Sequence, residues 1–415
     1  METTRMYSLG LLFALMCSVG LVGQSNPGIL YVDGVHYSTI PAALQACSAP
    51  ACVIDARGDG LAGATTIGSI LQPSMPTVIY LGCYVYTGPA SGSLLQISNV
   101  AANGSAIIGC GMTSNDQPSG GLGTRLMASS SNSSDVADIG YGVQGIRIEN
   151  LTIDGNNIAK HALTIEGIRN SVFSNLNFEN TVGVAINAIV STSAADQGNQ
   201  LNLFQHIRSY NVNGLLLATS STNKLSDFTH NTLVDIESSV NQNIAPGMEL
   251  MGADTNHLYD VTFFNQAGGT TCVMTSGTVF PSIQLDHVTA TQLGALNNYF
   301  YGVHLDPYCP MWVQGTTSGT GGTGPSAGTQ IYGYDRIENQ QPPTFGSDAG
   351  AFWIDSNGTI QTPGSALFIN SVNIENGTLI LPSAGSSGRA ACFKSDKSVG
   401  YCSSVVRSNG SCTCN

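Results

Sequence analysis

The chain has 415 residues, of which 49 are Gly, 42% are hydrophobic and only 9% are charged; ordinary soluble domains carry roughly 25% charge, so a coiled coil or a charge-rich disordered protein is excluded. Lys and Arg number 13 against 26 Asp and Glu, a formal charge of −13, which excludes a nucleic-acid binder because that function needs a basic face to displace phosphate counterions. The partner expected is neutral, cationic or bridged by Ca²⁺.

Arg5 precedes an apolar run from Tyr7 to Val19, and small residues follow at Gly20, Gly23 and Ser25. This is the pattern of a secretory signal over 1–23, with the mature chain starting near Gln24. The run is shorter than the roughly 18–20 residues that cross a bilayer, so export to an extracellular location is expected rather than a membrane span. Ten cysteines then remain, an even number in an exported chain, and disulfides are expected. Cys47 and Cys52 are close enough to close a small loop. Cys392, Cys402, Cys412 and Cys414 would staple a tail over 382–415, which lacks the paired C-x-x-C and histidines of a zinc site.

Ser38 and Thr39 are placed to cap a helix with Ile40, Ala43, Leu44 and Cys47 on its apolar face and Pro41 in its first turn. Residues 24–60 are therefore read as an N-terminal cap. From Cys52 to Ile108 the pattern changes to short apolar bursts separated by Gly, Ser, Pro and Asn, the signature of strands and turns.

Between 146 and 310 one pattern returns: IRIENLTID at 146–154, SVFSNLNFE at 171–179, LNLFQHIRSY at 201–210, TLVDIES at 232–238, HLYDVTF at 257–263 and SIQLDHVTA at 282–290. The polar corner residues Asn150, Asn175, His206, Asp235, Asp260 and His287 are spaced by 25, 31, 29, 25 and 27 residues. A second series runs between them: ALTIEG, GVAINAI, GLLLAT, GMELMG, TCVMTSG and YGVHLD. Two registers with one period predict stacked coils with strands on at least two faces. Each burst is too short for a helix, and its β-branched residues favour strands. The fold expected is all-β, a right-handed parallel β-helix over 61–381, clearest in 146–310, with the helix capping its open end.

HYSTIPAALQAC at 36–47, TVIYLGCYVYTG at 77–88, AIIGCGM at 106–112 and the IENLTIDGN type of coil resemble the pectate-lyase-like β-helix superfamily over roughly residues 30–310. The resemblance implies this fold and, at the level of the superfamily, activity on an extracellular polysaccharide as a hydrolase or lyase. The chain departs from the superfamily's signatures: it has no Asp-Asp pair, Gly-His-Gly or Arg-x-Lys of polygalacturonases, and no Arg-x-Pro-x-x-Arg of pectate lyases. FWIDSNG at 352–358 is similar to a lyase WIDH segment but lacks the histidine. A non-catalytic extracellular β-helix that binds glycans or assembles with copies of itself fits the same residues.

Alternation after each corner sends Leu151, Leu176, Ile207, Ile236, Val261 and Val288 inward. The outward rows are then Thr152, Asn177, Arg208, Glu237, Thr262 and Thr289, with Asp154, Glu179, Tyr210, Ser239, Phe264 and Thr291 beside them. Asp154 and Glu179 thus fall one coil apart on one face, a spacing of about 5 Å that suits a glycosidase carboxylate pair or a bridging Ca²⁺. No other cofactor is called for. Tyr210 and Phe264 would stack on sugar rings, and Arg208 and Glu237 would bond hydroxyls or simply pair with each other. A second constellation, Tyr301, His304 and Asp306 in YGVHLDPYCP, is similar to the Tyr-Gly-x-Asp-Pro-His stretch of alginate epimerases, with the order of His and Asp reversed.

Overall fold

The structure, a computed structural model, describes residues 28–305 apart from 49, 59–64, 114–122, 141, 190–197, 219–227, 242–243, 266–279 and 287–294, and beyond them 311–313, 329–336, 344–345, 352–355, 360–361, 391–393 and 399–401. The expected signal segment and most of the cysteine tail lie outside the described residues. None of the described helices is long and apolar enough to cross a membrane.

The chain forms a parallel β-helix. A 16-stranded sheet and a 9-stranded sheet run along it, and every neighbouring pair is parallel except where Ile360–Gln361 turns back on Phe352–Asp355. Strand stacking already includes Ile29–Tyr31 and Cys52–Ala56. Between these two, Thr39 accepts the Ala42 N–H at 3.2 Å and starts the helix Ile40–Ala46, whose Ile40 and Ala43 are buried in the same core. Disulfides join Cys47 to Cys52 and Cys83 to Cys110.

Long strands such as Arg147–Asp154 and Val172–Glu179 turn a corner midway, so one strand serves two faces. The first half of Arg147–Asp154 pairs with Ala106–Ile108 and the second half with Arg125–Met127. The corner residue must take a positive φ, which Asn, Asp, His and Gly adopt at least cost. Asn150, Asn175, His206, Asp235 and Asp260 do so, at φ between 51 and 59°.

The next corner differs from the sequence expectation. SIQLDHVTA is not on this sheet: Ile283–Asp286 pairs with Met248–Met251 in the 9-stranded sheet, and His287 with the three residues after it lies outside the described residues. The coil above His257–Asn265 is Tyr299–Leu305, so the corner after Asp260 is Gly302, at φ 69°, and Gly333 follows at φ 68°. The step is 42 residues because both connections of this coil, 266–282 and 287–298, are longer than 241–247 and 252–256 of the coil before. YGVHLD consequently moves from the second register into the first.

Inside, Leu151, Leu176, Ile207, Ile236 and Val261 form the expected apolar column, which Val303 continues. Beside it runs a buried polar ladder that the sequence reading did not find. The amides of Ser171, Asn202, Asn231 and Asn256 each donate to the side-chain oxygen of the next coil's Asn202, Asn231, Asn256 and Asn298, at 3.0–3.2 Å. The ladder answers the turn amides that no strand can pair.

Candidate functional site

The register of the Thr152 row is as expected through five coils, whereas the Asp154 row keeps it only up to Tyr210, where the strands shift register before Ser239. Asp154, Glu179 and Tyr210 are successive neighbours, and so are Thr152, Asn177, Arg208, Glu237 and Thr262. Their environment is not uniform along the stack. Over the first two coils Thr113 lies against the face: its N–H donates to Thr152 Oγ1 at 2.9 Å, and Asn177 Nδ2 donates to its carbonyl at 2.5 Å. Beneath it Asp154 is 3% exposed and Glu179 not at all.

Arg125 lies between the two carboxylates, with Nη1 2.5 Å from Asp154 Oδ2 and Nη2 3.2 Å from Glu179 Oε2. Asn177 and Asn180 donate to the same pair, at 2.5 Å to Glu179 and 3.1 Å to Asp154. The guanidinium stands where a bridging Ca²⁺ would have to be, and no sugar reaches an enclosed carboxyl. The expected carboxylate pair is therefore present as a pair but placed under a cover, with its charge met from within.

From the third coil the face opens. Arg208 Nε is 3.2 Å from Glu237 Oε2 and Nη2 is 3.1 Å from Asp235 Oδ1, while His206 Nδ1 bonds the other oxygen of Asp235. Asp235 is held below the usual carboxylate range by the His206 and Arg208 hydrogen bonds and charges, against the opposing effect of burial. Tyr210 and Phe264 are exposed by 46 and 38%. His304 takes the place expected of Thr289, beside Thr262, with Nε2 3.9 Å from Asp260 Oδ1. Tyr301 does not join His304: it precedes the corner and lies on the adjoining face, stacked between Tyr259 and Tyr332. Asp306 lies outside the described residues.

The 9-stranded sheet carries a second acidic group, which the sequence reading passed over as strand filler. Ala137–Gly140 and Leu163–Glu166 are adjacent parallel strands with Asp138 beside Thr164 and Gly140 beside Glu166. Asp138 and Glu166 therefore share the outward face, offset by one coil and two residues, or about 8 Å between Cα atoms from standard strand spacings. Gly140 is buried between them, and a Cβ there would make ordinary contact, 3.9 Å from Asp138 Oδ1 and 4.0 Å from Glu166 Cβ.

Asp135 is fixed beside this pair. Its Oδ1 accepts the His161 N–H at 3.1 Å and its Oδ2 accepts the Thr164 hydroxyl at 2.6 Å. Burial pushes the Asp138 pKa up, and the charges of Asp135 and Glu166 push it the same way. All three carboxylates are partly exposed. His161 is buried and donates from Nδ1 to the Val184 carbonyl at 3.1 Å, and burial pushes its pKa down. A signal for this group was available: LTIE lies in the second series and ADIG, which the series did not include, precedes it, and alternation puts a carboxylate of each on the outward phase. Among the described residues no group of three or more His, Cys, Asp or Glu is arranged to hold a metal ion.

No protein-family model matches the chain, and neither does any curated protein. Among solved structures, the catalytic domain of a GH87 alpha-1,3-glucanase in complex with nigerose is 14% identical over 72% of this chain, with a TM-score of 0.39. The chain spans 64% of that domain, less than two thirds of its length. ORF18 of Geobacillus virus E2 is 12% identical over 83% of this chain and 64% of its own, with a TM-score of 0.46. PfbA, a surface adhesin of Streptococcus pneumoniae, is 12% identical over 78% of this chain and 89% of its own, with a TM-score of 0.27. None of these likenesses decides what this chain does.

Proposed function

We propose that the protein is a secreted, right-handed β-helix hydrolase of an extracellular polysaccharide, with its reaction centre on the 9-stranded sheet at Asp138, Glu166 and Asp135. The observation that carries this reading is the gathering of three partly exposed carboxylates, Asp135, Asp138 and Glu166, on one face, where burial and the two neighbouring charges push the Asp138 pKa up. Glycoside hydrolysis needs one carboxyl to keep its proton near neutral pH and another to stay ionised. Asp138 donates its proton to the glycosidic oxygen as that bond breaks. Glu166 assists from the other side of the anomeric carbon, by directing water or by attacking it. Asp135, held by His161 and Thr164, supplies the negative charge that raises Asp138 and faces the sugar cation. An acidic centre on an acidic protein favours an uncharged polysaccharide.

Under this reading Asp154 and Glu179 serve structure, not catalysis. The test is reducing-end release from a panel of neutral and acidic polysaccharides by the mature chain and by Asp138→Asn, Glu166→Gln and Glu179→Gln. Losses of about 10²–10⁴-fold are expected for the first two, and folded E179Q should keep its activity. Hydrolysis undiminished in D138N and E166Q would refute the assignment. A second reading, glycan binding without cleavage, draws on the exposed Tyr210 and Phe264 beside Arg208 and Glu237; it gains if the whole panel is bound and left intact.

A further inference from the structure

Three phenols before the corner take no part in the proposed reaction. Tyr259, Tyr301 and Tyr332 are register neighbours on successive coils, with ring centroids 4.9 and 5.2 Å apart and planes within 10° of parallel. The register itself does not call for rings, since the same outward position in the preceding coils holds Ile108, Glu149, Ser174, Gln205 and Val234. Among the described residues the other pair of tyrosine rings in contact, Tyr84 and Tyr86, meets edge-on at 6.4 Å, and Tyr86 is fully buried.

Rings in contact are separated by about 3.5 Å between planes, so centroids 4.9 Å apart are slipped sideways by roughly 3 Å. The slip sets edge carbons of one ring against those of the next. An outward side chain stands roughly perpendicular to its sheet, so the far end of each ring, with the hydroxyl and the Cε atoms beside it, is the part nearest solvent. Tyr259 is 39% exposed, and Tyr301 and Tyr332 are half-buried. Desolvation, then the charges of Tyr259, Tyr332 and Tyr299, raise the Tyr301 pKa above its ordinary 10.0, so this ring is a phenol that gives up a proton together with an electron.

We propose that Tyr259 and Tyr301 form an oxidative cross-linking site, at which an extracellular haem peroxidase with hydrogen peroxide joins the two rings through a Cε–Cε bond as dityrosine. The exposed Tyr259 loses one electron and its hydroxyl proton to the peroxidase. Tyr301, stacked on it, refills it with an electron and a proton, and Tyr259 is then oxidised a second time. The two phenoxyl radicals couple at Cε, and the hydrogens on the coupled carbons move to the oxygens, restoring both hydroxyls. The two electrons and two protons released reduce one hydrogen peroxide to two waters. Tyr332 stands further off, with its hydroxyl donated to Gln330 Oε1 at 2.6 Å, and couples only where Tyr259 is missing. The disulfides Cys47–Cys52 and Cys83–Cys110 form in the oxidising surroundings that this chemistry needs. Both lie in the first coils, whereas the new bond closes the 42-residue step over the long connections 266–282 and 287–298. A cross-link over a long loop removes the most freedom from the unfolded chain.

The test treats the dilute mature chain with a haem peroxidase and hydrogen peroxide and follows dityrosine fluorescence, gel mobility and the masses of proteolytic peptides. A fluorescent product of monomer mobility is expected, lighter by two hydrogens, with the Tyr259 and Tyr301 peptides joined. Tyr301→Phe keeps the ring and its stacking but forms no phenoxyl radical, and should lose the product. Y332F should keep it, and Y259F should divert what coupling remains to Tyr301 and Tyr332. Hydrogen exchange over His257–Asn265 and Tyr299–Leu305 should be slower in the linked chain than in untreated chain. Undiminished monomer fluorescence in Y301F, or treated wild type without an internal link, would overturn the proposal. Copies joined to one another through Tyr31 or Tyr210, which are 44 and 46% exposed, with no internal link would overturn it as well. D138N should cross-link as wild type does, which separates this result from the fate of the proposed hydrolase.

Discussion

Arg125→Met isolates what encloses Asp154 and Glu179. The guanidinium is 3.2 Å from the more deeply buried carboxylate, where a unit charge pair is worth about 5 kcal/mol at an effective dielectric near 20. Desolvation of the ions offsets much of that, so the intact cluster contributes little net stability. Removing only the cation is different, because it leaves two carboxylates one coil apart at 4 and 0% side-chain exposure. A loss of about 3–5 kcal/mol is expected at neutral pH. Urea melts would read it, combined with hydrogen exchange over Arg147–Asp154 and Val172–Glu179, since a stacked repeat need not unfold in one step. Acidification protonates the two carboxyls and should shrink the deficit, and adding Asp154→Asn and Glu179→Gln to R125M should recover more than half of it. A loss below about 1 kcal/mol, within the range of an ordinary surface change, or a deficit unchanged down to pH values near 4, would refute the account of this cluster as a buried, internally neutralised unit.

Further outcomes follow from the other named sites. Asp138 binds its proton more tightly in the folded chain than its ordinary value of 3.8 allows, so its stabilising contribution is full below that value and is lost as pH rises through the folded value. D138N should therefore melt above wild type at pH 7 and level with it at pH 3, and equal melting at both would contradict the assignment. His161 shifts the opposite way from 6.5: stability is present above that value and falls on acidification through the depressed one, a slope that His161→Gln should flatten in melts taken across this range. Asn231→Ala strips the Asn202 amide and side chain of their acceptor, each at 3.0 Å and fully enclosed, and should cost about 2–5 kcal/mol, read by chemical denaturation against the outer-corner Asn175→Gly, which relieves a φ of 51° and should cost under about 1 kcal/mol. Gly140→Ala meets only ordinary contacts and should leave stability and hydrolysis near wild type.

The fold was legible because its two requirements leave marks in single residues. A corner needs a residue that tolerates positive φ, and Asn150, Asn175, His206, Asp235 and Asp260 announce five of them. Gly302 meets the same need but carries no polar side chain to mark the corner, and SIQLDHVTA imitates the pattern with an Asp-His pair on the other sheet. Strand alternation does not distinguish the two sheets, so the longer connections 266–282 and 287–298 were enough to shift the register. The inner ladder escaped for a related reason: Asn202, Asn231, Asn256 and Asn298 stand in turns, where Asn is ordinary, and only stacking shows that they point inward. For Asp154 and Glu179 alternation gave the correct row and coil. It could not give their cover, because Thr113 and the strand residue Arg125 belong to the coil before and lie 39 and 29 residues from their bonding partners.

What neutralises each carboxylate separates structure from chemistry in this chain. With so few cations available, those that are described are largely committed: Arg57 to Asp55, Arg147 to Glu149, Arg125 to Asp154 and Glu179, and Arg208 to Asp235 and Glu237. Each of these acids has a base within ion-pair distance, which suits a strut better than a proton donor. Among the described residues no Lys, Arg or His side chain forms an ion pair with Asp135, Asp138 or Glu166. Three carboxylates gathered without a cation repel one another and destabilise the coil that carries them. The repulsion is relieved when one of them holds a proton, and the most enclosed of the effects on Asp138, burial, acts in that direction together with its two neighbours. An arginine or open water would have lowered the Asp138 pKa; burial and two acidic neighbours raise it instead, the direction that the proposed proton donor needs.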